Sequence, residues 1–163
     1  MIILGVDPGT ATTGYGVILA KNINSKNRGN FKCLSYGSIK TSPEMAMPQR
    51  LKKINNELAK ILKIHQPKIM VVESLYFFKN LKTAMPVSQA KGVILLTAAK
   101  KNIPVHEFTP PQVKMLVAGS GKAEKINVQK KVKAIFGMKD IPKPDDAADA
   151  LAIALTYVFA RNA

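Results

Sequence analysis

The chain has 163 residues, is 47% hydrophobic and carries 25 Lys and Arg against 10 Asp and Glu, a net charge of +15. This length and apolar content fit one globular domain over residues 1–163, and no apolar run reaches the ~18–20 residues of a bilayer span. A single cysteine, Cys33, excludes an internal disulfide and fits a reducing, cytoplasmic setting.

In chain order, residues 2–7 (IILGVD) read as a buried strand closed by the turn Pro8-Gly9, and not as a signal peptide. Residues 14–20 and 31–40 read as two further strands with the polar Lys21–Asn30 stretch as a long hairpin loop, so the three should form an antiparallel meander. Pro48 opens a helix whose apolar positions Leu51, Ile54, Leu58, Ile61 and Leu62 recur at helical spacing, and Pro67 breaks it. Residues 68–73 (KIMVVE) form a fourth strand, parallel to the first because a helical crossover precedes it. A helix with small residues Ala90, Gly92, Ala98 and Ala99 is expected over about 86–101, then a short strand at 103–107. Three helices follow: from Pro110 or Pro111 to Gly119, a basic one over 123–136, and a last over 145–160. The order predicts an α/β layer on a mixed five-stranded sheet.

Four acids stand out in so basic a chain. Without Asp7, Glu73, Asp146 and Asp149 the balance is 25 − 6, or +19. Each has an ordinary structural explanation: Asp-Pro-Gly is a turn sequence, Glu73 ends a strand, and Asp145 and Asp146 stand at a helix start that favours acids. Asp149 is harder to explain, because it lies three residues after Asp146, on the same face, and leads into Ala-Leu-Ala-Ile-Ala-Leu. The first and fourth strands should be neighbours, with Asp7 and Glu73 at their carboxyl ends, where ligands gather in such sheets. If the last helix packs across that edge, four carboxylates converge and need a divalent cation to offset their repulsion. With a basic surface suited to nucleic acid, this predicts metal-dependent phosphodiester chemistry.

The segments Gly5-Val-Asp-Pro-Gly-Thr, Thr13-Gly-Tyr-Gly, Val72-Glu-Ser-Leu-Tyr-Phe-Phe-Lys-Asn, Gln112-Val-Lys with Gly119-Ser-Gly-Lys-Ala-Glu-Lys, and Asp146-Ala-Ala-Asp-Ala-Leu-Ala-Ile-Ala resemble, in order and spacing, the motifs of RuvC-type Holliday-junction resolvases. The resemblance implies an RNase H-like fold, three antiparallel strands then two parallel with helices on both faces. It implies a homodimer that nicks two opposed strands of a four-way DNA junction symmetrically, in recombination and repair. Mg²⁺ or Mn²⁺ dependence, with two ions per site, and cooperation with a branch-migration motor of the RuvA/RuvB type are implied too. Asp7, Glu73, Asp146 and Asp149 match the family's catalytic, metal-binding acids, and Asp145 is left as the helix cap. Lys114 and Lys125 match basic residues serving the scissile phosphate and DNA, Lys122 in the same run is grouped with the DNA-binding lysines, and Tyr76 falls where an aromatic contacts unstacked bases. The alternatives are a related nuclease acting on RNA or an RNA–DNA hybrid, and a catalytically idle junction-binding module.

Overall fold

The computed structural model describes residues 1–21, 30–74 and 81–161. Its elements are β1 (Ile2–Asp7), β2 (Thr12–Lys21), β3 (Asn30–Lys40), α1 (Met47–His65), β4 (Ile69–Glu73), α2 (Leu81–Ala99), β5 (Val105–Phe108), α3 (Pro110–Ala118), α4 (Lys125–Phe136) and α5 (Asp145–Arg161). The sheet order is β3-β2-β1-β4-β5, with β1, β2 and β3 antiparallel and β4 and β5 running parallel to β1. This is the mixed sheet expected, three antiparallel strands followed by two parallel ones.

The alternation of side chains along the strands divides the core in two. Ile3 and Val71 pack with Leu151, Leu155 and Val158 of α5 and with Val117 and Val132 of α3 and α4. Leu4, Val6, Met70 and Val72 pack on the other face with Ile54 and Leu58 of α1 and Ile94 of α2. A strand repeats every two residues, so Asp7 shares the face of Ile3, and Glu73 the face of Val71. Both acids therefore point to the side covered by α5.

α5 can cross that face closely because glycines lie beneath it. A Cβ on Gly5 would stand 2.0 Å from the Ala150 carbonyl oxygen, and one on Gly14 would stand 2.1 Å from that of Asp146. A Cβ on Gly16 would meet Leu151 at 2.8 Å. Strand glycines weaken a strand, and here they permit backbone-to-backbone approach by another element. The helix answers with its own small residues, since Ala147, Ala148, Ala150 and Ala154 are fully buried.

Several details differ from the sequence reading, among them a β2 that starts at Thr12 and an α4 that starts at Lys125, each two residues from the expected position. α2 begins at Leu81, with Pro86 inside it, instead of beginning at the proline. β5 starts two residues later than expected and ends at Phe108, where it pairs with Glu73. Asp145 is the first residue of α5 itself, not the residue that caps it. The loop between Lys21 and Asn30 lies largely outside the described residues, which resume with β3.

Candidate active site

The sheet register aligns the four acids. Asp7 pairs with Gly14 on β2, and Val6 pairs with Val72 on β4, so one residue further on Asp7 and Glu73 are level on adjacent strands. α5 lies above, and the Asp146 Cβ is 3.0 Å from where a Gly14 Cβ would be. Asp149 follows less than one turn later on the same helix face. Two strand ends and one helix start thus bring Asp7, Glu73, Asp146 and Asp149 to the edge anticipated from the sequence.

Their electrostatics follow from that crowding. Burial, reinforced by the charges of Glu73, Asp149 and Asp146, pushes the Asp7 carboxyl up to about 8, with Lys125 opposing. Burial and then Asp149 push Glu73 up to about 7, while Lys114 and Lys125 pull it down. Burial also raises Asp149, although Lys125 donates a hydrogen bond to its Oδ2 at 2.7 Å. Burial works against the Lys125 ammonium, yet the hydrogen bond to Asp149 and the nearby charges of Asp149, Asp145 and Asp146 hold its pKa above the usual value. Asp145 Oδ2 stands 3.8 Å from the same nitrogen.

A cavity of about 210 Å³ opens beside these groups, and its charged lining is Glu73, Asp149, Lys114 and Lys125. α3 supplies Lys114 and α4 begins with Lys125, so both lysines predicted from the sequence meet the acids. Lys122 is exposed in the turn between α3 and α4 and makes no ion pair among the described residues. Tyr76 lies outside the described residues.

Among the described residues, no three Asp, Glu, His or Cys side chains are closed into a metal-binding group. The carboxylates are coupled through space, with Asp149 drawn to Lys125. The chemistry of the donor set still fits a hard divalent cation. All four side chains offer oxygen, and two carboxyls held far above their usual range respond strongly to any added positive charge.

Two supporting contacts were not anticipated from the sequence. The turn after Asp7 is fastened by Thr41, whose Oγ1 donates to the Thr10 carbonyl at 2.6 Å and accepts from Arg50 Nε at 2.8 Å. Beyond Glu73, Ser74 Oγ donates to Glu107 Oε2 at 3.3 Å, and Lys91 of α2 bonds the same oxygen. Thr41, Arg50, Lys91 and Glu107 lie 30 or more residues from the acid whose neighbour they hold, Lys91 excepted, and no local motif signals them.

The parallel–antiparallel sheet, the buried carboxylate row at its carboxyl-end edge and the flanking lysines define an RNase H-like nuclease of phosphodiester bonds. The comparisons specify the family. The family model described as "Crossover junction endodeoxyribonuclease RuvC" matches residues 3–157. A crossover junction endodeoxyribonuclease RuvC of Caldicellulosiruptor saccharolyticus is 44% identical over 162 residues, covering 99% of this chain and 95% of that one. The structure of Thermus thermophilus RuvC superposes with a TM-score of 0.89 at 34% identity, covering 98% of this chain and 94% of that one. T. thermophilus RuvC in complex with a Holliday junction substrate matches with a TM-score of 0.86 at 31% identity and the same coverage. The chain belongs to the RuvC family of crossover junction endodeoxyribonucleases.

Proposed function

We propose that this chain resolves four-way DNA junctions by metal-assisted hydrolysis at the carboxylate edge, with Asp7, Glu73, Asp146 and Asp149 as its catalytic acids. The observation that carries the assignment is the row itself. Asp7 lies level with Glu73 beneath α5, and its carboxyl is pushed up to about 8 by burial and by its three acidic neighbours.

Asp7 is the central ligand in this reading, because all three other acids act on it. Glu73, Asp146 and Asp149 would supply the other carboxylate oxygens to Mg²⁺ or Mn²⁺, two ions in all. When bound, such ions activate the attacking water and stabilise the leaving 3′ oxygen. The protein contributes the rest. β1 and β4 hold two carboxylates on rigid strands, and the cavity wall from α3 and α4 excludes water from one side. Lys114 and Lys125 place ammonium groups where the transition state gathers negative charge. Lys125 also partners Asp149, and that contact holds its ammonium beside the acids. Lys122 and Tyr76 are assigned to the DNA, the first as a phosphate contact and the second as a stacking surface. The described chain acts as one nuclease domain.

A four-way junction has two-fold symmetry, so an isologous dimer would present one site to each of two strands. The surface best suited to that dimer is α2. Ala90 and Ala98 are buried against α1, but Met85 is 70% exposed and Leu96 is 53% exposed. Gln89, Gly92 and Ala99 continue the same stripe at spacings of three and four residues, all exposed. A branch-migration motor remains the expected partner.

The test is incubation with a synthetic four-way junction, a linear duplex and an RNA–DNA hybrid, each with Mg²⁺ and with EDTA. Paired symmetric nicks in the junction alone, abolished by EDTA, are expected. Preferential cutting of the hybrid would assign the chain to RNA, and tight junction binding with no cleavage in any metal would make it a binding module.

A further inference from the structure

The face of the sheet opposite the carboxylates carries a second concentration of charge. An open groove of about 660 Å³ runs along α1, and Lys52, Lys53, Lys60, Lys63 and Lys101 line it. Its one acid, Glu57, is already paired with Lys60 at 2.7 Å. All five lysines are exposed, and the four on α1 have no other ion pair among the described residues. Like charges held this close repel one another, and nothing in core packing calls for them, since α1 buries Ile54, Leu58 and Leu62 on its opposite side.

The groove is also placed in line with the active edge. The first turn of α1 is fastened to the turn after Asp7 through Arg50, Thr41 and Thr10. The helix then runs to the other end of the sheet, where Lys68 N bonds the Ile2 carbonyl as β4 begins. Lys101 follows the end of α2 at that same far end. At about 1.5 Å per residue, Lys52 to Lys63 span about 16 Å. A length of duplex of ~16 Å presents about nine phosphates, at about one charge per 1.7 Å of axis. A line of lysines over that distance suits an extended polyanion better than a single phosphate group.

We propose that the lysine groove along α1 is a second DNA-contact surface, a phosphate track that holds the backbone of a duplex arm after it leaves the carboxylate edge. This rests on the reading that the substrate is a branched DNA. The track adds affinity and fixes the arm's direction without touching the scissile phosphate.

The experiment is lysine acetylation footprinting of the wild-type protein in EDTA, with and without a four-way junction, read by mass spectrometry. Lys52, Lys53, Lys60, Lys63 and Lys101 are expected to be protected by the junction. In parallel, a variant with all five changed to Gln is compared with wild type for junction affinity as a function of salt. Loss of five phosphate contacts flattens the log–log salt slope by about 4.5, at about 0.9 per contact. The variant should retain its circular dichroism spectrum and its metal-dependent nicking at saturating protein. Absence of protection overturns the proposal, as does protection with an unchanged salt slope, because phosphate contacts release counterions. Protection by a glutamate-rich peptide but not by DNA would assign the groove to an acidic protein and likewise overturn it. Failure of the junction to be cut by wild type is a separate result, bearing on the proposed function alone.

Discussion

Replacing Asp7 by Asn should stabilise the protein while destroying its activity. The Asp7 carboxyl is raised from 3.8 to about 8, chiefly by burial and then by Glu73, Asp149 and Asp146. An acid with a raised folded pKa leaves the fold holding a proton that the unfolded chain has released. Stability therefore falls as pH rises from about 4 to about 8 and is level outside that window. At about 1.4 kcal/mol per pKa unit, the full shift of about 4 units sets a limit of roughly 6 kcal/mol above pH 8. Half of that limit, about 3 kcal/mol, corresponds to about 6–12 °C in a chain of this size. Asn nearly matches the protonated acid in shape and carries no charge, so the variant should lose the Asp7 share of the pH dependence and keep the part that Glu73 and Asp149 contribute. The assay is thermal unfolding by circular dichroism in EDTA at pH 5 and pH 9, for wild type and Asp7→Asn. The variant should melt several degrees above wild type at pH 9 and close to it at pH 5, and should not cut junctions. A wild-type melting temperature that is flat across this range, with no gain from Asn, would refute the picture of Asp7 as a buried acid among acids.

Gly14→Ala should reduce nicking by about 10²-fold, because moving the Asp146 carbonyl from 2.1 Å to an ordinary 3.4 Å contact displaces the start of α5 by more than 1 Å. Unchanged nicking with a native fold would show that α5 has slack at this point. Lys125→Met removes the ammonium that lowers Asp7, Glu73 and Asp149. All three acids then hold their protons to higher pH, so the acid limb of the pH–rate profile should move up, and a profile that stays in place would make Lys125 a phosphate contact only.

The fold was legible where hydrophobic period and proline agree. Ile54, Leu58 and Leu62 are the buried stripe of α1, and IMVVE is β4. Pro86 does not mark the helix boundary, because a proline that suits a helix start here lies five residues inside α2. The carboxylates were legible because each sits where an element begins or ends, and only an edge shared by those elements explains all four. The glycine platform was not. Gly5, Gly14 and Gly16 look like weak points in two strands, and the reason for them is α5, more than 130 residues further on. The Gly119-Ser-Gly-Lys run looks like a phosphate loop but fails the pattern already in the sequence, with Leu116 in place of the first Gly and Ala123 in place of Ser or Thr after the Lys, and in the fold Gly119 ends α3 in a left-handed conformation at φ 81°.

The glycines and the acids form one device. A helix bearing Asp146 and Asp149 must reach a strand end bearing Asp7, and ordinary side chains between them would hold the two apart. Removing three Cβ atoms from β1 and β2 lets the α5 backbone rest on the strands, and buried alanines keep it there. The close approach also supplies the burial that raises Asp7, so one packing choice sets both the distance between the acids and their thirst for positive charge. Lys125 and Lys114 answer part of it from α4 and α3, and the rest is left for a cation. The bulk of the lysine charge is then free to face DNA, which is why a chain of net charge +15 can afford four acids at its centre of chemistry.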